Sequence, residues 1–157
     1  MTGFLGEYEV TIDAKGRFLV PAALKKQLAE EGAQQFVINR GLDLCLSLYP
    51  MESWNLLYAK VNQLNDFDIK ASAFKRRFLN GASKVELDSA GRLLLPKTLM
   101  EYAQLTKDAV LVFVGNKIEI WDQTKYKEFF DSFSQEEFKI MANEVMGSKS
   151  DNQTNSN

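Results

Sequence analysis

The chain has 157 residues, 45% of them hydrophobic and 25% charged, with a net charge of −2, one cysteine and no histidine. That length suits one domain or two small ones fused tightly, with an ordinary soluble globular composition. Lacking histidine and a second cysteine, it has no means of forming an internal disulfide, a zinc site of the usual Cys/His type or a Ser-His-Asp arrangement.

In chain order, the start "MTGFLGEYEV" has neither the basic opening nor the apolar run of a signal peptide, and no segment approaches a membrane span. A cytoplasmic address is expected, with no membrane partner. Tyr8, Val10 and Ile12 alternate with polar residues, the pattern of a half-buried strand. "AKG" follows as a three-residue hairpin loop, with Gly16 where a left-handed backbone is needed. "RFLVP" reads as the return strand. Pro21 suits the first turn of a helix because it has no N–H to leave unpaired. That helix is "AALKKQLAEEG", and "FVINRGLDLCLSLYP" then makes a strand, a turn and a second strand. Cys45 lies in this apolar run and reads as a small buried residue.

After Pro50, "MESWNLLYAKVNQLND" is an amphipathic helix with Trp54, Leu57, Val61 and Leu64 on one face. "DIKASAFKRRFLNG" is a second helix, within a stretch from Lys60 to Lys84 that holds six basic residues against two acids. Then the opening pattern returns. "DSAGRLLLP", Asp88 to Pro96, repeats "DAKGRFLVP", Asp13 to Pro21, seventy-five residues on. Val10–Leu28 and Val85–Ala103 agree at seven of nineteen ungapped positions, where average composition would give roughly one. Gly91 takes the place of Gly16, Pro96 that of Pro21, and "VLVFVGNKIEIWD" supplies a second strand pair turning at Gly115-Asn116. "DQTKYKEFFDSF" and "SQEEFKIMANEVMG" are further helices, the latter opened by a Ser134/Glu137 capping box and ended at Gly147. The tail from residue 148 to 157 has no apolar side chain and is expected to be disordered.

The repeated Asp, Gly and Arg have a structural explanation in part. Asp13 and Asp88 can accept loop N–H groups, and the glycines supply the turn. An exposed ion pair from Asp13 to Arg17, or Asp88 to Arg92, is worth only about 0–1 kcal/mol, a weak reason to write it twice. The arginines are the members that turn geometry does not demand. A guanidinium beside a loop matches a phosphate or the O6/N7 edge of guanine. Lys15 adds a cation at the first loop tip, where the second copy has Ala90.

These residues carry a resemblance. "DAKGRFLVPAAL" and "DSAGRLLLPKTL" resemble the two motifs of the MraZ family, bacterial transcriptional regulators with tandem SpoVT-AbrB-type domains. Phe4-x-Gly6, "CLSLYP", Trp54, "RRFLNGA" and "NKIEIWD" match as well. The resemblance implies an α+β, mainly β fold of two pseudo-symmetric swapped-hairpin AbrB-like units with amphipathic helices. It implies a ring-shaped homo-oligomer that binds double-stranded DNA bearing direct repeats. The expected role is repression of the cell-division and cell-wall gene cluster, in the cytoplasm at the nucleoid. Carried over, Lys15, Arg17 and Arg92 are the DNA-binding residues, with Arg17 and Lys15 ranked above Arg92 because of Ala90. Asp13, Gly16, Pro21, Asp88, Gly91 and Pro96 are structural members of the motifs. Arg76 and Arg77 are packing or inter-subunit residues. No cofactor, metal, catalytic residue or small-molecule substrate is implied.

The expected organisation is a first unit over 1–54, a helical connector over 55–81, a second unit over 82–125, a helical arm over 126–147 and the tail. The alternative is an oligomeric scaffold without DNA, whose hairpins serve assembly. The acidic isoelectric point, near 5.3, and Ala90 favour it.

Overall fold

Alternating apolar residues and punctuating glycines and prolines lay out fourteen elements in the computed structural model, which describes residues 5–30, 32 and 35–154. Phe4, one of the family matches, lies outside them. The elements of the first copy are β1 (Glu7–Thr11), β2 (Arg17–Leu19), α1 (Ala22–Glu30), β3 (Gln35–Arg40) and β4 (Leu46–Pro50). Two helices follow, α2 (Met51–Asn62) and α3 (Ile69–Asn80). The second copy gives β5 (Ser83–Glu86), β6 (Arg92–Leu94), α4 (Lys97–Tyr102), β7 (Asp108–Val114) and β8 (Lys117–Asp122). The chain ends in α5 (Gln123–Asp131) and α6 (Gln135–Thr154). It divides into two compact units, Met1–Gln123 and Thr124–Asn157.

Six strands form one antiparallel sheet in the order β1-β7-β8-β4-β3-β5, while β2 and β6 form a separate two-stranded ribbon. The order reads the same from either end once β1 is matched with β5, β3 with β7 and β4 with β8. A pseudo-twofold axis therefore passes through the Ser47–Glu119 pair of the large sheet and the Phe18–Leu93 pair of the ribbon. Strand exchange makes the two copies one body: Val10 pairs with Ala109, and its counterpart Val85 pairs with Phe36. This is the swapped α+β arrangement that the family resemblance implies.

The local hairpin read from "AKG" needs correcting. Asp13 N–H donates to the Arg17 carbonyl at 2.8 Å and Gly16 N–H to that of Asp13 at 3.0 Å, so the turn is tight. Beyond it, however, β1 and β2 part into different sheets. β1 takes β7 as its ladder partner, and three-residue β2 finds β6 across the axis. The prolines are also one place earlier than expected. The carbonyls of Pro21 and Pro96 accept from Lys25 and Met100 N–H groups at 2.9 and 3.0 Å, so each proline precedes its helix rather than sitting in the first turn.

The core lies between the large sheet and the ribbon with its helices. Phe18, Leu24, Leu28, Phe36, Leu93, Leu99, Leu111 and Ile120 are all buried in it. Each contributes roughly 1.5–3 kcal/mol by leaving water. A satellite cluster seats the connector: Trp54 of α2 stacks on Phe78 of α3 with centroids 5.8 Å apart. Asn39, fully buried in β3, donates to the Phe78 carbonyl at 2.9 Å and accepts from Arg40 N–H. A β-carbon at Gly81 would lie 2.4 Å from the Asn39 side-chain oxygen. "RRFLNGA" thus contains a glycine because a buried asparagine grips the end of α3. In the second unit Ser134 Oγ accepts from Glu137 N–H at 3.1 Å, half of the capping box. Helix α6 continues past Gly147 to Thr154. One helical glycine costs only about 1 kcal/mol against alanine, too little to compel a stop.

Candidate nucleic-acid interface

Both Asp-x-x-Gly-Arg loops close by the same set of bonds. Asp13 Oδ1 accepts from the backbone N–H groups of Lys15 and Arg17, each at 2.9 Å, and Oδ2 accepts from Arg17 Nε at 2.9 Å. Asp88 does the same for Ala90 and Arg92, at 2.9, 2.8 and 2.9 Å. The arginine backbone N–H, first among the causes, holds each carboxyl below the usual aspartate range, aided by the side-chain bond and the loop-tip N–H. The carboxylate thus organises the loop and orients the guanidinium together. It occupies Nε and leaves both terminal nitrogens without a protein partner among the described residues. Gly16 and Gly91 have φ of +85° and +79°, the left-handed region that the turn requires.

Each loop is also tied to the other copy. Val20 N–H donates to the Gly91 carbonyl at 3.0 Å, and Leu95 N–H to that of Gly16 at 2.8 Å. Between the loops, Arg17 pairs with Leu94 and Leu19 with Arg92 across the ribbon. Phe18 and Leu93 point into the core, so Arg17, Leu19, Arg92 and Leu94 share the outer face, where Leu19 is 62% and Leu94 55% exposed. A two-stranded ribbon with outward arginines has the dimensions and donors for a DNA major groove.

The surroundings of the loops differ. Beside Gly16, a β-carbon would meet Met100 Sδ at 3.2 Å and the Leu95 carbonyl at 3.3 Å. The first loop and α4 line an open groove that includes Lys15, Lys97 and Glu101. Beside Gly91 the first group met is Lys25 Nζ, at 3.0 Å, reaching over from α1 of the other copy. Sequence reasoning missed Lys25. It aligns with Met100 in the repeat, and that substitution was the available signal, but only the exchange of strands puts α1 next to the second loop.

The other sequence candidates fall elsewhere. Arg76 and Arg77 are exposed on α3. Lys75 is engaged with Asp66 at 2.9 Å and the Asn62 carbonyl at 3.3 Å, which pins the α2–α3 connection. Cys45 is buried, and burial first, then the Glu119 charge, pushes its thiol up to about 12, so it is unreactive near neutral pH. Among the described residues no helix is long and apolar enough to cross a membrane.

Comparison with known proteins identifies this architecture. The family model described as "MraZ protein, putative antitoxin-like" matches twice, over residues 4–77 and 78–147. A protein of Christiangramia forsetii named "Transcriptional regulator MraZ" is 47% identical over 148 residues, 94% of this chain and 95% of the relative. Proteins of the same name from Flavobacterium psychrophilum and Natranaerobius thermophilus are 44% and 42% identical. The first of these alignments covers 98% of both chains; the second covers 91% of this chain and 96% of the relative.

Proposed function

The chain belongs to the MraZ family, and from that premise we propose that it is a DNA-binding transcriptional regulator with no catalytic activity. The observation that carries the reading is the pair of aspartate-buttressed arginines on one outer face, each with its terminal guanidinium nitrogens unclaimed among the described residues. The names of its relatives as transcriptional regulators agree with it.

In this reading Arg17 and Arg92 approach base edges or phosphates, and Lys15 a phosphate at the loop tip. The two aspartates pre-set the arginine rotamers, so less side-chain freedom is lost on binding. One chain offers few cations, and electrostatic affinity rises steeply with the number of phosphates neutralised. Several chains in a ring on tandem direct repeats would supply that number. Repression of the cell-division and cell-wall gene cluster, at the nucleoid, is the regulatory role proposed with it.

The test is a footprint and binding titration on the region upstream of the protein's own gene. Arg17→Ala should keep wild-type thermal unfolding and oligomer mass while weakening binding at least tenfold at physiological salt. Normal binding would sink the role of Arg17. A fall in mass by light scattering would instead place the loops in assembly, as the scaffold alternative has it.

A further inference from the structure

We infer that Lys25 is the phosphate-contacting cation of the second loop, standing in for the lysine that Ala90 replaces. The inference rests on the DNA-binding reading above and extends it to a residue outside both motifs.

The two copies solve one problem with the parts exchanged. In the first, the loop tip carries the ammonium (Lys15) and the neighbouring helix contributes a neutral thioether, Met100 Sδ, 3.2 Å from the β-carbon position of Gly16. In the second, the tip is Ala90 and the helix contributes an ammonium, Lys25 Nζ, 3.0 Å from the same position on Gly91. Each loop therefore has an arginine and a lysine close to its left-handed glycine, and at the first loop Lys97 and Glu101 of α4 line the same groove. Lys25 is exposed, and among the described residues it makes no ion pair. An unpaired cation set against a bare glycine, beside an arginine with free donors, suits an anion with several acceptor oxygens. Lysine acts as a point charge there, which fits phosphate better than a base edge.

The experiment titrates a labelled duplex, selected from a random library by the wild-type protein, at about 50 to 200 mM KCl. Lys25→Met copies the side chain found at the equivalent position and keeps the helix packed. It should weaken binding several-fold and lower the slope of log K against log salt by about one per engaged loop. Adding Ala90→Lys to that variant should restore both, because it returns the cation to the tip. Unfolding midpoints should stay near wild type throughout. An unchanged slope in Lys25→Met, or no recovery with Ala90→Lys, would overturn the inference while wild-type binding keeps the functional reading. Selection of no duplex by the wild type would overturn the functional reading itself.

Discussion

The first and second loops share a backbone, a carboxylate clamp and an arginine, yet differ in what stands beside them. Around Gly16 the neighbours are a methionine sulfur and a main-chain carbonyl; around Gly91 the nearest is the end of a flexible lysine. The clamp is under tight geometric control because one aspartate must satisfy two N–H groups and a guanidinium. The loop tip has no such duty, and there the two copies have drifted apart. The distribution of charge around a loop can change between copies without disturbing the turn that holds the arginine.

Glycine substitution should separate the two loops most strongly. Alanine at either position incurs about 1–2 kcal/mol for a left-handed backbone. At Gly16 the new β-carbon would lie 3.3 Å from a main-chain group, the carbonyl of Leu95, whose N–H is bonded to the Gly16 carbonyl, whereas Lys25 at Gly91 can swing away. Urea unfolding should therefore show Gly16→Ala destabilised by about 2–4 kcal/mol and Gly91→Ala by only the backbone cost. Equal losses would mean that the surroundings are not rigid in the way described.

Arginine removal comes next and should not separate them. Since the clamps agree to within 0.1 Å, Arg17→Ala and Arg92→Ala should each weaken DNA binding by about ten- to a hundredfold, the range for losing a good bidentate contact. An effect confined to Arg17 would restore the ranking that Ala90 suggested from sequence. Smaller again is the acid response. Both aspartates have native pKa values below their unfolded ones. Their stabilisation is present above about pH 4 and is lost as pH falls through the lower native value. Asp13→Asn and Asp88→Asn should each flatten the fall in urea midpoint across that window, and by similar amounts. The smallest change should come from Lys15→Ala, which ought to lower the salt slope by about one per engaged loop and leave stability untouched.

Much of this was legible beforehand. The two motifs, their glycine turns and the oddity of a repeated arginine stand in the sequence, because turn chemistry and alternation are local. Long-range pairing is not. "EYEVTID" looks ready to fold back on "RFLVP", and nothing in either says that β1 prefers a strand a hundred residues away; the exchange came only with the family resemblance. Lys25 stayed hidden for the same reason, since its loop belongs to the other copy. Asn39 reads as one polar residue in an apolar strand until the end of α3 is seen resting on it. The four-residue spacing already put each aspartate within ion-pair reach of its arginine; what the structure adds is that one carboxylate takes the loop N–H groups on Oδ1 and the arginine Nε on Oδ2.

The exchange of β1 onto β7 also sets a timetable for synthesis. Glu7–Thr11 leaves the ribosome early, but its partner Asp108–Val112 follows about a hundred residues later. At ordinary elongation rates that is roughly 5–20 s during which the first strand has an open edge. The half-made chain is therefore the aggregation-prone form, and a ribosome stalled between the copies would leave β1 with no strand of its own chain to complete it.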